Sequence, residues 1–202
     1  MATAQAQSPS LVATHPYSSR WWQWPLLQIP ISYYYHDFRT GLAAQSGSSC
    51  CVAEILALPN PLMWWTGLIS VPFVAWLAWS ERGKGYALLV VAYVLQWLPW
   101  IASPRLSFEY HFLPNLAIII LADTILLQRI WRLGARPERS ASGAAAARWP
   151  RAVVTAYLVA VVAAFIYWYP VVAGTHITYN AWNQRMVTWL EGNNWINPHP
   201  GS

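Results

Sequence analysis

An all-α, integral membrane fold is predicted by three observations. Hydrophobic residues make up 56% of the 202-residue chain and charged residues 9%, whereas soluble domains carry roughly 25% charge. Four apolar stretches (61–80, 85–102, 112–128 and 152–174) are long enough to cross a bilayer as helices, which takes about 20 residues each. The 15 Trp and 11 Tyr residues crowd around those stretches, as rings with an apolar body and a polar edge do at a membrane–water interface.

Taken in order, residues 1–10 are rich in Ala, Gln and Ser and are expected to be disordered. Residues 14–35 are dense in aromatics, and Pro16, Pro25 and Pro30 interrupt any long helix. This predicts an irregular or short-helix segment on the outer membrane surface, the core of an interfacial unit over 1–60. Trp21, Trp22 and Trp24 are its expected anchors, joined by Trp64 and Trp65 at the start of the first span. Cys50 and Cys51 are adjacent. A disulfide between neighbours is strained, so free or lipidated thiols are expected.

The four-helix transmembrane unit over 61–174 follows. Its first two spans carry no charge but contain Pro72 and Pro99, which should kink them. The third holds one acid, Asp123. Residues 135–147 read as a flexible linker before the fourth span. In the tail, 175–202, residues 180–191 fit a short amphipathic helix.

Charge gives the expected orientation. The loops 81–84 and 129–151 hold eight of the twelve basic residues, which places them in the cytoplasm by the positive-inside rule. Both termini and the 103–111 turn then lie outside, as expected for a bacterial inner-membrane protein. The net charge of +5 is thereby a topology signal and predicts no nucleic-acid partner. Residues 1–20 contain no apolar signal-peptide core, a pattern expected of a remnant of a longer chain.

Chemistry concentrates where 103–111 meets the third span. A guanidinium at Arg105 suits a phosphate, which it can clamp through parallel hydrogen bonds; snorkelling or pairing with Glu109 is the plainer expectation. His111 is a candidate for phosphate contact, proton transfer or ligation of a pigment metal, and His176 is a weaker pigment candidate. His15 and Arg20 are candidates to line a groove. Asp123 is expected to pair toward the cytoplasmic side, with an arginine for example, because an unpaired intramembrane charge is costly. No further acid lies in the other spans, which argues against a transporter, and no catalytic or metal-ligating spacing is present.

Three runs resemble one family. His15-Pro16-Tyr17-Ser18-Ser19, Trp24-Pro25-Leu26 and Tyr33-Tyr34-Tyr35 resemble the outer segment that precedes the last helices of protein O-mannosyltransferases. Asn60-Pro61-Leu62-Met63-Trp64-Trp65 resembles that family's Asn-Pro-x-x-Trp-Trp helix entry, and Arg105-x-x-Phe108-x-Tyr110-His111-x-x-Pro114 its Arg-x-x-Phe-x-Tyr-His-x-x-Pro run. The resemblance implies the C-terminal four-helix region of a GT-C-type transferase that moves mannose from a polyprenyl-phosphate carrier to protein Ser or Thr. It also implies that Arg105 and His111 lie near the carrier phosphate.

The family's catalytic Asp-Glu pair has no counterpart here. The expected function is therefore a truncated transferase-like module that does not catalyse alone. The alternative is a non-catalytic scaffold or accessory subunit of a larger membrane complex, photosynthetic or respiratory for example. The first reading implies a polyprenyl-phosphate ligand, and the second implies bound lipids or pigments. Both imply membrane lipids and other membrane subunits as partners.

Overall fold

A computed structural model describes residues 17–38, 51–134 and 149–190, the last four as backbone only. Five α-helices and one two-stranded sheet are found among them. The helices are α1 (Pro61–Ser80), α2 (Lys84–Trp97), α3 (Asn115–Leu133), α4 (Trp149–Val172) and α5 (Tyr179–Leu190). The strands are β1 (Ser32–Asp37) and β2 (Val52–Leu56).

The helix starts follow from local chemistry. Asn60 caps α1: its Oδ1 accepts from the Leu62 amide at 3.1 Å, and Pro61 supplies a first residue that needs no amide partner. The Asn60 Nδ2 also donates to the Val161 carbonyl at 2.8 Å, tying this cap to α4. At the end of α2, Pro99 lies where the α-helix tightens into a 3-10 turn, Leu98–Ala102. The α4 helix closes on Gly174, whose φ of +67° favours glycine, with the Thr175 amide donating to the Pro170 carbonyl at 3.1 Å.

Three helical segments are long and apolar enough to cross a membrane: Pro61–Ser80, Lys84–Ala102 and Trp149–Val172. The α3 helix is not among them. It continues past the expected end at 128 to Leu133, so Arg129 and Arg132 are helical and share it with Asp123. It packs closely on α1, where a Cβ on Gly67 would come within 2.9 Å of Ile119. The α2 and α4 helices leave Leu88, Leu95, Val159 and Ile166 largely exposed, as side chains facing hydrocarbon would be.

The all-α expectation, with an irregular or short-helix segment over 14–35, is corrected at the N-terminal end, where a short helix is followed by a strand. Strands β1 and β2 pair antiparallel, with Tyr35 opposite Glu54 and Asp37 opposite Val52. The run Tyr33-Tyr34-Tyr35 suits a strand because aromatics pack well on a pleated surface. Val52 also exchanges hydrogen bonds with Ile177 at 2.8 and 3.0 Å, which joins the hairpin to the segment after α4. Cys51 is disulfide-bonded, which corrects the free-thiol expectation for it; Cys50 lies outside the described residues.

The hairpin, a 3-10 turn at Trp24–Leu26 and α5 form a cap over the starts of α1 and α3 and the ends of α2 and α4. The opposite end carries Arg82, Lys84, Arg129, Arg132 and Arg151. There Arg129 pairs with Glu81 at 2.7 Å, and Arg151 lies over the Trp131 ring at 5.6 Å.

Candidate functional site: the mouth of α3 under the aromatic cap

Tryptophan indoles fasten the N-terminal segment onto the helices. Trp64 donates to the Trp24 carbonyl at 2.9 Å, Trp65 to the Leu26 carbonyl at 3.2 Å and Trp97 to the Trp21 carbonyl at 2.8 Å. Trp24 and Trp64 are each only 1% exposed. They form the cap core with Phe112, whose ring meets Trp64 edge-on at 5.3 Å, so their expected role as interfacial anchors is corrected. An indole has one donor and a large apolar body, and here both are satisfied inside the cap. Trp22 and Trp65 keep exposed faces, and Trp21 is half-buried against Trp97.

A second tie brings distant residues together. The Ser19 amide donates to the Ser107 carbonyl at 2.9 Å, and Ser107 Oγ donates to the Ser19 carbonyl at 3.0 Å. Ser19 Oγ in turn accepts from Trp24 at 2.9 Å. Arg20 and Arg105 therefore flank one backbone junction, one and two residues from its members. Both are exposed. Neither guanidinium has a hydrogen-bond or ion-pair partner among the described residues.

The expected pairing of Arg105 with Glu109 is not formed. An i,i+4 pair needs helix between its members, but Phe108 is extended and the 3-10 turn begins only at Glu109. Glu109 is instead 2% exposed, and neither carboxylate oxygen has a partner among the described residues. Burial alone pushes its pKa well above the ordinary 4.5. Asn115, at the start of α3, is fully buried, and its side-chain amide is equally unpartnered.

His111 is half-buried in an aromatic cage, with Trp100 at 4.1 Å and Tyr110 at 4.2 Å between ring centroids. Its Nδ1 lies 3.2 Å from the Phe108 amide and 2.9 Å from the Phe108 carbonyl. With Nδ1 engaged by the backbone, Nε2 is the nitrogen left to meet a ligand. His176 is exposed and packs edge-on against Phe38 at 4.7 Å, at the hairpin. His15 lies outside the described residues. Among the described residues no three His, Cys, Asp or Glu side chains gather into a metal-ligating set.

Asp123 is not paired with an arginine. Its Oδ1 accepts from Ser70 Oγ at 2.6 Å, inside the α1–α3 contact, while Arg129 is committed to Glu81. The register of α3 explains this. Asn115, Ile119, Ala122 and Asp123 form one buried stripe, and Arg129, six residues and about 9 Å further along α3, meets Glu81 just past the end of α1 instead.

Glu54 is a site residue that the sequence reading did not single out. It is 2% exposed, and Trp182 of α5 donates to its Oε2 at 2.5 Å. Burial raises its pKa, and hydrogen bonds from Trp182 and Ser32 offset part of that. The signal was a carboxylate inside the apolar strand Val52–Leu56, where a charge must find a partner.

The chain is similar to known proteins along most of its length. Polyprenol-phosphate-mannose–protein mannosyltransferase of Mycobacterium tuberculosis is 28% identical over 178 residues, covering 87% of this chain and 32% of the relative. The Corynebacterium glutamicum protein of the same name is 28% identical over 164 residues, with coverages of 80% and 29%. Human protein O-mannosyl-transferase 1 is 28% identical over 137 residues, with coverages of 57% and 16%. The chain thus spans about a third of the length of the bacterial relatives. No solved structure matches it. The family model described as the C-terminal four TMM region of protein-O-mannosyltransferase matches residues 1–84 and 77–192, and the chain belongs to that family.

Proposed function

We propose that the chain is the carrier-facing membrane module of a polyprenyl-phosphate-mannose-dependent transferase and does not catalyse transfer alone. One observation carries this reading. Arg20 and Arg105 flank the Ser19–Ser107 junction, exposed and without side-chain partners among the described residues, while the acid nearest Arg105 in sequence, Glu109, is buried. Two guanidiniums beside an aromatic surface suit a phosphate on a lipid chain: they supply planar donors, and the rings accept the isoprenoid stem. His111 Nε2 adds a group that can bind a phosphate oxygen or shuttle a proton.

Transfer to a hydroxyl also needs a base near the acceptor. The only carboxylates the cap presents among the described residues are the buried Glu54 and Glu109 and the half-buried Asp37, and the chain contains no Asp-Glu pair. The catalytic carboxylate is therefore assigned to another part of a larger enzyme. In this reading α3 also spans the membrane, held among the other three helices. The cap faces outward from a bacterial inner membrane, and the Arg129–Arg151 end faces the cytoplasm.

The test is binding of a polyprenyl phosphate to the full chain in nanodiscs, set against Arg105→Ala, Arg20→Ala and the double variant. Wild-type binding should fall about tenfold or more for each arginine removed, about the loss of one charge-assisted contact. Equal binding by the double variant would remove the phosphate site. Stoichiometric purification with a membrane complex of unrelated function would favour the scaffold alternative instead.

A further inference from the structure

Three helices meet at a polar point in otherwise apolar surroundings. Asp123 of α3 is 4% exposed, and its Oδ1 accepts from Ser70 of α1. Its Oδ2 is buried with no partner among the described residues. From α4 the Tyr157 hydroxyl, also buried, lies beside Thr66 and within electrostatic reach of Asp123, yet makes no hydrogen bond of standard geometry. Thr66 Oγ1 donates to the Leu62 carbonyl at 2.7 Å, so toward Tyr157 it can only accept. Among the described residues Ser70 is the one side chain that hydrogen-bonds the carboxyl, and no cation pairs with it. Tyr93, the buried titratable group of α2, packs on Phe112 and Trp97 instead.

We propose that this crossing is a proton-binding site, in which Asp123 is held as a neutral acid that donates from Oδ2 to the Tyr157 hydroxyl. One proton then satisfies both orphaned oxygens. Tyr157 is left free to donate to Thr66, and the relay ends on the Leu62 carbonyl. The competing arrangement has Tyr157 donating to an ionised Asp123. It would leave a net charge against hydrocarbon with two neutral hydroxyls and no cation, which costs several kcal/mol. The neutral relay joins α1, α3 and α4 and fixes the height of α3, hence of its mouth, against the other two helices. It does not depend on the phosphate reading of the cap.

The experiment is infrared spectroscopy of the full chain in lipid vesicles at neutral pH, with isotope label on the aspartate carboxyls. Asp37 and Asp123 are the only two aspartates, so two signals are expected. Asp123 should give a carboxylic-acid C=O stretch that shifts in heavy water, disappears in Asp123→Asn and moves in Tyr157→Phe. If Asp123→Asn fails to fold, Asp37→Asn assigns the remaining labelled band. Two carboxylate bands and no acid band would overturn the proposal. An acid band that ignores Tyr157→Phe would overturn the assigned partner.

Discussion

Two family-resembling runs sit side by side under the cap and differ in what their side chains do. In Asn60–Trp65 every polar group that distinguishes the run is consumed internally. Asn60 caps α1 and reaches α4, and Trp64 and Trp65 hold the carbonyls of Trp24 and Leu26. In Arg105–Pro114 the distinguishing groups are left over among the described residues: Arg105 is exposed and unpaired, Glu109 is buried and unpartnered, and one nitrogen of His111 is unused. A run whose polar groups are all satisfied builds the fold. A run that keeps unsatisfied ones at some cost is where a ligand or a partner chain is expected.

The sharpest way to break that contrast is to truncate the structural run. Trp64→Ala removes a 1%-exposed indole that anchors both the N-terminal segment and Phe112. It should destabilise the protein by about 3–5 kcal/mol, read as earlier unfolding in a denaturing-detergent titration. Asn60→Ala should cost about 1–2 kcal/mol by the same assay, the usual loss of a helix cap. If either variant keeps wild-type stability, the run is not structural.

Glu109→Gln probes the other run. Its folded-state pKa is raised, so the folded protein binds more protons than the unfolded chain above the ordinary value of 4.5. Stability from this group is therefore greatest at low pH and falls as pH rises from 4.5 toward the raised value. Glu109→Gln should flatten that fall and unfold no earlier than wild type at neutral pH. A steeper fall, or a large loss at neutral pH, would show that the carboxylate is paired. The smallest stability effect belongs to Arg105→Ala, within about 0.5 kcal/mol of wild type, as for a surface substitution without partners.

Much of the scaffold was legible because hydrocarbon leaves few options. Long uncharged stretches such as Pro61–Ser80 and Trp149–Val172 must be helices to satisfy their own backbone. Non-local pairing was not legible. The hairpin depends on Tyr35 meeting Glu54, nineteen positions on in sequence, and nothing local in either segment announces the other. Trp24 and Trp64 resembled interfacial anchors because a buried and a membrane-surface tryptophan have the same composition; their burial and the Trp64–Trp24 hydrogen bond separate them only in the fold. In the site, Arg105 and His111 were found through their unusual placement. Their junction with Arg20 rests on one backbone bond and one serine-hydroxyl bond between Ser19 and Ser107, which nothing local in either segment announces. Ser70 and Tyr157 escaped notice because hydroxyls are common in membrane helices and gain meaning only opposite Asp123.

The central claim is that Arg105 serves binding and not stability. Its most direct test measures polyprenyl-phosphate affinity and unfolding on the same nanodisc preparations of wild type and Arg105→Ala. The unfolding midpoint should not move, and the affinity should drop about tenfold or more, near 1.4 kcal/mol. An unchanged affinity, or a binding loss matched by an equal loss of stability, would contradict it.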